Sequence, residues 1–256
     1  MADDNVPRRF VGKTALLTGV GSGMGRAVSL RLGAEGAQIF GHDINGDAAR
    51  ETAQLVEKAG GTMQVRAGDV SSPDECRAAV AACIDAFGGL DVLGNIAGVS
   101  WAHHFTDVTE AEYRKMMAVN VDGYFFMAQA AIPHLLERGG NIVNIASNAG
   151  LMGQAYTVVY TMTKGAVVQM TRSLAMEYVK SSLRVNAIAP GGTETGMTSA
   201  FQMPSDVDFD LMAPYSGFRG MGTATDIANM FALVASDEGA RIHGAILSVD
   251  GGVTAG

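Results

Sequence analysis

Tyr160 and Lys164 stand four residues apart in the stretch YTMTKGAVVQMTRSLAMEYV. On a helix that spacing puts both side chains on one face. A free phenol titrates near pH 10, too high for a base at neutral pH, and an ammonium group within reach lowers it by about 1–3 units. Such a pair can take a proton from an alcohol or return one to a carbonyl oxygen. Ser147 follows the apolar run NIVNIA, so its hydroxyl can meet the phenol at the same sheet edge and hold the oxygen whose charge changes. Tyr156 is a rival phenol, but four places after it stands Tyr160, not a lysine.

The elements that must position these residues show as an alternation. Apolar runs at Thr14–Leu17, Gln38–Phe40, Met63–Arg66, Val92–Asn95, Ile142–Ile145, Val185–Ile188 and Ile246–Val249 are separated by helical patterns. The expectation is an α/β fold, a Rossmann-type doubly wound parallel sheet of about seven strands with helices on both faces. With 256 residues, 48% apolar and 17% charged, the chain reads as a single domain over 1–256. The segment Gly196–Gly222 breaks the alternation; it is long, irregular and Met-containing, and a substrate lid is expected at about 193–222.

Composition removes several function classes. The formal charge is −8 and no basic cluster appears, the nearest being Arg8-Arg9, so no nucleic-acid partner is expected. The richest apolar stretch, Gly123–Leu136, contains Pro133 and His134 and is too short to span a bilayer. The stretch MADDNVPRRF lacks the apolar centre of a signal peptide. Cys76 and Cys83, seven apart in a helical pattern, would lie roughly 10 Å from each other, beyond disulfide reach. Reduced thiols and a cytoplasmic location are expected. His103 and His104 are adjacent, yet no third ligand stands at a metal-binding spacing, so no metal is expected.

Upstream, TGVGSGMG at 18–25 follows the first apolar run and precedes a helical segment. Glycines there permit close backbone approach, and a helix start presents free N–H groups to an anion. Asp43, in GHDIN just past the second strand, lies at about the 20-residue distance where a carboxylate holds a ribose 2′-hydroxyl. It could instead cap the next helix, a task for which Asn45 competes. No Lys or Arg occurs among Val20–Ser22 or Ile44–Gly46 to neutralise a 2′-phosphate, which favours NAD over NADP.

Together, TGVGSGMG, NIAG at 95–98, Asn120, Ser147, Tyr160-x-x-x-Lys164 and PGGTET at 190–195 resemble the short-chain dehydrogenase/reductase family, from about Val11 to Gly252. The glycine motif matches that family's T-G-x-x-x-G-x-G pattern through Gly19, Gly23 and Gly25, with Gly21 an extra. The resemblance implies Asn120, Ser147, Tyr160 and Lys164 as the catalytic set, with Asn120 holding a water that leads to Lys164 and Lys164 bonded to the nicotinamide ribose. It implies cofactor contacts from Gly19, Ser22, Gly23, Met24, Gly25, Asp43, Asp69, Val70, Asn95, Ala97, Gly98, Tyr160, Lys164, Pro190, Gly191, Thr193 and Thr195. The family's usual second Asn is Ile96 here, and Thr193 occupies a position often held by Val or Ile. The resemblance also implies a homotetramer.

Substrate contacts are expected from Trp101, His103, Met152, Gln154 and Tyr156, with Met197, Phe201, Met203 and Met212 in the lid. An apolar, Met-rich wall suits a bulky, weakly polar secondary alcohol or ketone, although plain packing explains methionines equally well. The expected activity is NAD-dependent oxidation or reduction of such a compound. The alternatives are an NADPH-dependent 3-oxoacyl carrier-protein reductase and a non-catalytic nucleotide-sensing module.

Overall fold

The computed structural model describes residues 7–196 and 203–255. Seven parallel strands form one sheet: β1 (Thr14–Thr18), β2 (Gln38–Asp43), β3 (Thr62–Ala67), β4 (Val92–Asn95), β5 (Asn141–Ile145), β6 (Arg184–Pro190) and β7 (Ile246–Val249). Their order across the sheet is β3-β2-β1-β4-β5-β6-β7. The order reverses between β1 and β4, so a crevice opens there beyond the carboxyl ends of the strands. In β1 every residue is buried, as expected of a strand covered on both faces.

Alternation along the strands divides the core into two layers. Leu17 and Ile39 point to one side, where they pack with Val28, Val56 and Phe231. Leu16 and Phe40 point to the other and pack with Cys76, Cys83 and Met127. The first layer belongs to helices α1 (Gly23–Ala34), α2 (Gly46–Lys58) and α7 (Ala224–Ala235). The second belongs to α3 (Pro73–Phe87) and α5 (Gly123–Arg138), with α6 (Val158–Glu177) beside them over β5 and β6. In α2 the buried positions Ala49, Thr52, Ala53 and Val56 repeat at three and four residues, which turns one stripe inward.

Among the described residues, side chains cap four α-helices. Asn45 accepts from Ala48 N at α2 and Ser72 from Glu75 N at α3. Thr109 and Thr223 form capping boxes with Glu112 at α4 (Glu110–Met117) and with Asp226 at α7. Each such cap stabilises by about 1 kcal/mol. Neither α1 nor α6 has a side-chain cap, and these two helices begin at the glycine loop and just before Tyr160. Between α4 and α5 a π-helical turn, Ala118–Asp122, carries Asn120. Such turns displace the residues they carry from regular helical register.

Within the expected lid, residues 193–194 pair in parallel with 222–223. Among the described residues between them are a 3₁₀ turn (Phe209–Leu211) and a four-residue helix (Ala213–Ser216). Met197 and Phe201 lie outside the described residues. Cys76 and Cys83 are both free and buried. Among the described residues, no helix is long and apolar enough to cross a membrane.

Candidate active site

The glycine loop closes over the carboxyl end of β1. Gly19 adopts φ +69°, a left-handed conformation that disfavours a side chain, and its N–H donates to the His42 carbonyl at 2.8 Å. A Cβ on Gly19 would lie 2.8 Å from Ala97 Cα, so the turn after β4 rests directly on this residue. A Cβ on Gly25 would strike the Gly19 carbonyl oxygen, and α1 therefore starts pressed against the loop. Thr18 ties the two turns together: its hydroxyl accepts from Ile96 N at 2.9 Å and Ala97 N at 3.0 Å. Sequence reasoning assigned Thr18 no such task, although it is the first letter of the motif.

A cleft of about 370 Å³ runs along this edge. Of the residues expected to hold a cofactor, Gly19, Ser22, Gly23, Met24, Gly25, Asp43, Asp69, Val70, Ala97, Gly98 and Thr195 line it. Its charged side chains are Asp43, Asp69 and Lys115. The uncapped start of α1, with no acidic residue in its first turn, leaves N–H groups for a diphosphate, and only glycine fits at positions 19 and 25. The residues present fit a dinucleotide.

Asp43 ends β2 instead of following it. Its Oδ2 accepts from Gly21 N and its Oδ1 from Asn45 N, both at 2.8 Å. Asn45 takes the capping position of α2, so Asp43 keeps lone pairs for a ligand. Gly21 thus has a task, since its N–H fixes the carboxylate. The neighbouring Arg26 donates to the Gly21 carbonyl and pairs with Glu51 at 2.8 Å.

Six expected cofactor residues do not line the cleft: Tyr160 and Lys164, which stand just beyond it, and Asn95, Pro190, Gly191 and Thr193. Asn95 is buried within the sheet, where its amide donates to Asn144 Oδ1 at 3.0 Å and braces β4 against β5. Pro190 ends β6, the Gly191 N–H donates to the Val249 carbonyl, and Thr193 is buried with its hydroxyl on the Gly191 carbonyl. These residues shape the turn after β6.

Ser147, Tyr160 and Lys164 meet at the end of β5. Lys164 is 3% exposed, and its Nζ donates to the Ile145 carbonyl at 2.7 Å. Nζ lies 5.8 Å from the Tyr160 ring centre, and a Cβ on Gly98 would come within 3.8 Å of it. Lysine and cleft therefore meet at Gly98. Burial drives the Lys164 ammonium down to about 7. Burial pushes the Tyr160 phenol up, while a hydrogen bond with Ser147 draws it down. This departs from the expectation of a phenol lowered by a fully charged neighbour. Both groups are desolvated, and desolvation favours the neutral form of each.

Asn120 is fully buried in its π-helical turn. Its side-chain amide donates to the Val99 carbonyl at 2.8 Å and its Oδ1 accepts from Val99 N at 2.9 Å. It braces the loop after β4, and its side chain makes no direct bond to Lys164. Tyr124, which sequence reasoning missed, supplies a second phenol whose oxygen lies 3.4 Å from Lys164 Nζ. No motif marks it; only the fold reveals it.

The expected substrate residues gather elsewhere along the same edge. Trp101, His103 and Tyr156 line a small separate pocket with Phe105 and Val159. The Trp101 Nε1 has no hydrogen-bond partner among the described residues. Gln154 donates to Asn148 Oδ1 at 3.2 Å, an atom that also accepts from the Ser147 hydroxyl. Met152, Met203 and Met212 are half-buried. Tyr156 adopts φ +64°, the one left-handed non-glycine among the described residues. Around it stand the bond from Asp208 N to its hydroxyl at 2.8 Å, the edge-on His104 ring, the His104–Asp206 pair at 2.9 Å, and a hydrogen bond from Ala155 N to the Tyr215 hydroxyl. His103 pairs with Glu112 at 3.0 Å. Among the described residues no three His, Cys, Asp or Glu side chains gather as a metal-binding group.

Comparison with known proteins accords with this architecture. The family model described as Enoyl-(Acyl carrier protein) reductase matches residues 19–254. The 2,5-dichloro-2,5-cyclohexadiene-1,4-diol dehydrogenase LinX of Sphingobium indicum is 37% identical over 97% of this chain and 98% of its own. A short chain dehydrogenase from Mycobacterium paratuberculosis bound to NAD superposes with TM-score 0.90 at 31% identity, covering 97% of this chain and 100% of that one. A short chain dehydrogenase from Burkholderia cenocepacia in complex with NADP gives 0.86 at 32% identity, covering 96% and 99%. The chain belongs to the short-chain dehydrogenase/reductase family, and it is an oxidoreductase that takes a nicotinamide cofactor.

Proposed function

We propose that the protein is an NAD-dependent dehydrogenase that interconverts a bulky, weakly polar secondary alcohol and its ketone. The observation that carries this reading is the meeting of Ser147, Tyr160 and Lys164 at the end of β5, one residue's width from a glycine-lined cleft. In that reading Ser147 holds the substrate oxygen and Tyr160 takes or returns its proton. Lys164 steadies the phenolate and bonds the cofactor ribose. A bound nicotinamide supplies the hydride acceptor or donor. Positioned proton transfer contributes about 10²–10⁴-fold, and alignment of the reacting carbon contributes much of the rest. Asn120 holds the loop after β4 in place and lends its turn to a water leading to Lys164.

The preference for NAD rests on Asp43, whose carboxylate sits against the glycine loop, and on Arg26, which is already paired with Glu51. A 2′-phosphate there would meet negative charge first. The diol dehydrogenase relative supports an alicyclic substrate. A carrier-protein substrate, raised by the family model's description, would want a basic docking face, and a chain of charge −8 offers little for one. The described part of the 193–222 segment, clasped to Tyr156, serves as the lid. Exposed apolar side chains on α5 and α6, Phe125, Met162 and Met176 among them, support a homotetramer, and buried free thiols suit a cytoplasmic location.

The test is a pair of titrations of the protein and of Asp43→Ala with NADH and NADPH, read by tryptophan quenching and by calorimetry. NADH binds the parent at least tenfold more tightly than NADPH, and Asp43→Ala narrows that ratio several-fold. An NADPH preference in the parent overturns the cofactor assignment and revives the reductase alternative. An unchanged ratio in Asp43→Ala makes that carboxylate structural.

A further inference from the structure

Buried ammonium groups need acceptors for three N–H bonds, and Lys164 has few at hand. The Ile145 carbonyl takes one at 2.7 Å, and the Tyr124 hydroxyl oxygen stands 3.4 Å away. The Tyr124 hydroxyl itself donates to the same Ile145 carbonyl at 3.0 Å, which turns its lone pairs toward Nζ. Nζ also lies over the Tyr124 ring, 5.2 Å from its centre. Tyr124 is 1% exposed and sits in the first turn of α5, directly after the π-helical turn that carries Asn120. Lysine, phenol and carbonyl thus form a closed triangle that joins α6, α5 and the end of β5, two residues before Ser147.

We propose that Tyr124 is a positioning residue for the reaction: its hydroxyl and ring hold the Lys164 ammonium at the foot of the cleft and set the pH range in which Tyr160 can act. The inference rests on the reading above, in which Lys164 assists Tyr160. The groups facing Nζ are the phenol of Tyr124 from α5, the phenol of Tyr160 from its own helix and the carbonyl of Ile145 from β5. Burial lowers Lys164, and no charged side chain offsets it. A hydroxyl that accepts from the ammonium, and a ring face beneath it, favour the charged form. Without the hydroxyl the lysine loses its proton at lower pH, and the phenol loses the help of that charge.

The experiment uses Tyr124→Phe, which keeps the ring and leaves the Ile145 carbonyl bonded to Lys164. The chain has five lysines, so [¹³Cε]lysine spectra of the cofactor-free protein resolve the buried one, assigned by its absence in Lys164→Met. The Lys164 midpoint is expected to fall by about half a unit to one unit, a three- to tenfold change in its protonation constant. The acid limb of kcat/KM for alcohol oxidation is expected to move to higher pH, with activity recovered in alkali. A Lys164 midpoint that stays in place while the variant folds normally overturns the proposal, even if turnover falls. A midpoint that falls while the acid limb stays fixed overturns instead the reading that Lys164 assists Tyr160. Thermal melts and NADH binding on the same samples show whether Tyr124→Phe folds. Should it fail to do so, Tyr124→Met, tested the same way, removes both hydroxyl and ring and is expected to lower the midpoint further.

Discussion

The two sides of the strand-end crevice are built from different materials. The nucleotide side is backbone: Gly19 and Gly25 admit no side chain, Thr18 stitches two turns together, and Asp43 is fixed by two main-chain N–H groups. The side proposed for the substrate is a set of side-chain clasps between irregular segments, centred on Tyr156 and reaching Asp206, Asp208 and Tyr215. Between them stand Ser147, Tyr160 and Lys164, held by one strand end and one long helix. The contrast teaches that one wall has its shape imposed locally. The other is built from contacts made across about fifty to a hundred residues of sequence, which can be exchanged without disturbing the first.

The sharpest way to break this comparison is to remove the chemistry and leave both walls. Tyr160→Phe is expected to lower kcat by about 10²–10⁴-fold while NADH affinity stays within about twofold, measured by steady-state turnover and calorimetry. Retained turnover would move the proton to another group, and a lost cofactor would mean that the reaction centre and the nucleotide wall are not separable.

Next in size is damage to the nucleotide wall itself. Gly19→Ala places a methyl group 2.8 Å from Ala97 Cα on a backbone at φ +69°. The left-handed strain and the clash together should cost about 1–3 kcal/mol of stability and weaken NADH binding at least tenfold. The Tyr156 clasp should survive, so surface probes there should report an unchanged environment. A thermal melt and an NADH titration check the first part, and proteolysis of the 203–222 segment checks the second.

What the amino-acid sequence disclosed follows the same division. All seven strands, their parallel class and the glycine loop were readable because each depends on local constraint: apolar runs, glycine spacing and a carboxylate at a fixed distance. Tyr160 and Lys164 were readable because four residues on a helix is also a local rule. Asn95, Pro190, Gly191 and Thr193 were read as cofactor contacts; the fold also gives them structural tasks, Asn95 bracing β4 against β5 and the other three shaping the turn after β6, which their residue types did not announce. Tyr124 and the Tyr156 clasp left no signal, because their partners are distant in sequence. The depressed Lys164 was equally invisible, since burial is a property of the fold and not of a motif.

The smallest expected effect tests whether the substrate wall acts alone. Asp206 holds the His104 imidazole through a hydrogen bond that raises its proton affinity, and both groups are well exposed. The charged pair is therefore fully present below the ordinary imidazole range and is lost as pH rises through the raised value. Asp206→Asn should raise KM for the alcohol by about two- to fivefold at pH 6, since an exposed pair contributes little. The difference from the parent should shrink as pH climbs past the point where the parent's own pair has dissolved. NADH affinity, measured across the same pH range, should not change, because no nucleotide-wall contact passes through His104. A parallel loss of NADH affinity would show that closure over the substrate also tightens the cofactor. The two walls would then be one device, and the division drawn between them would fail.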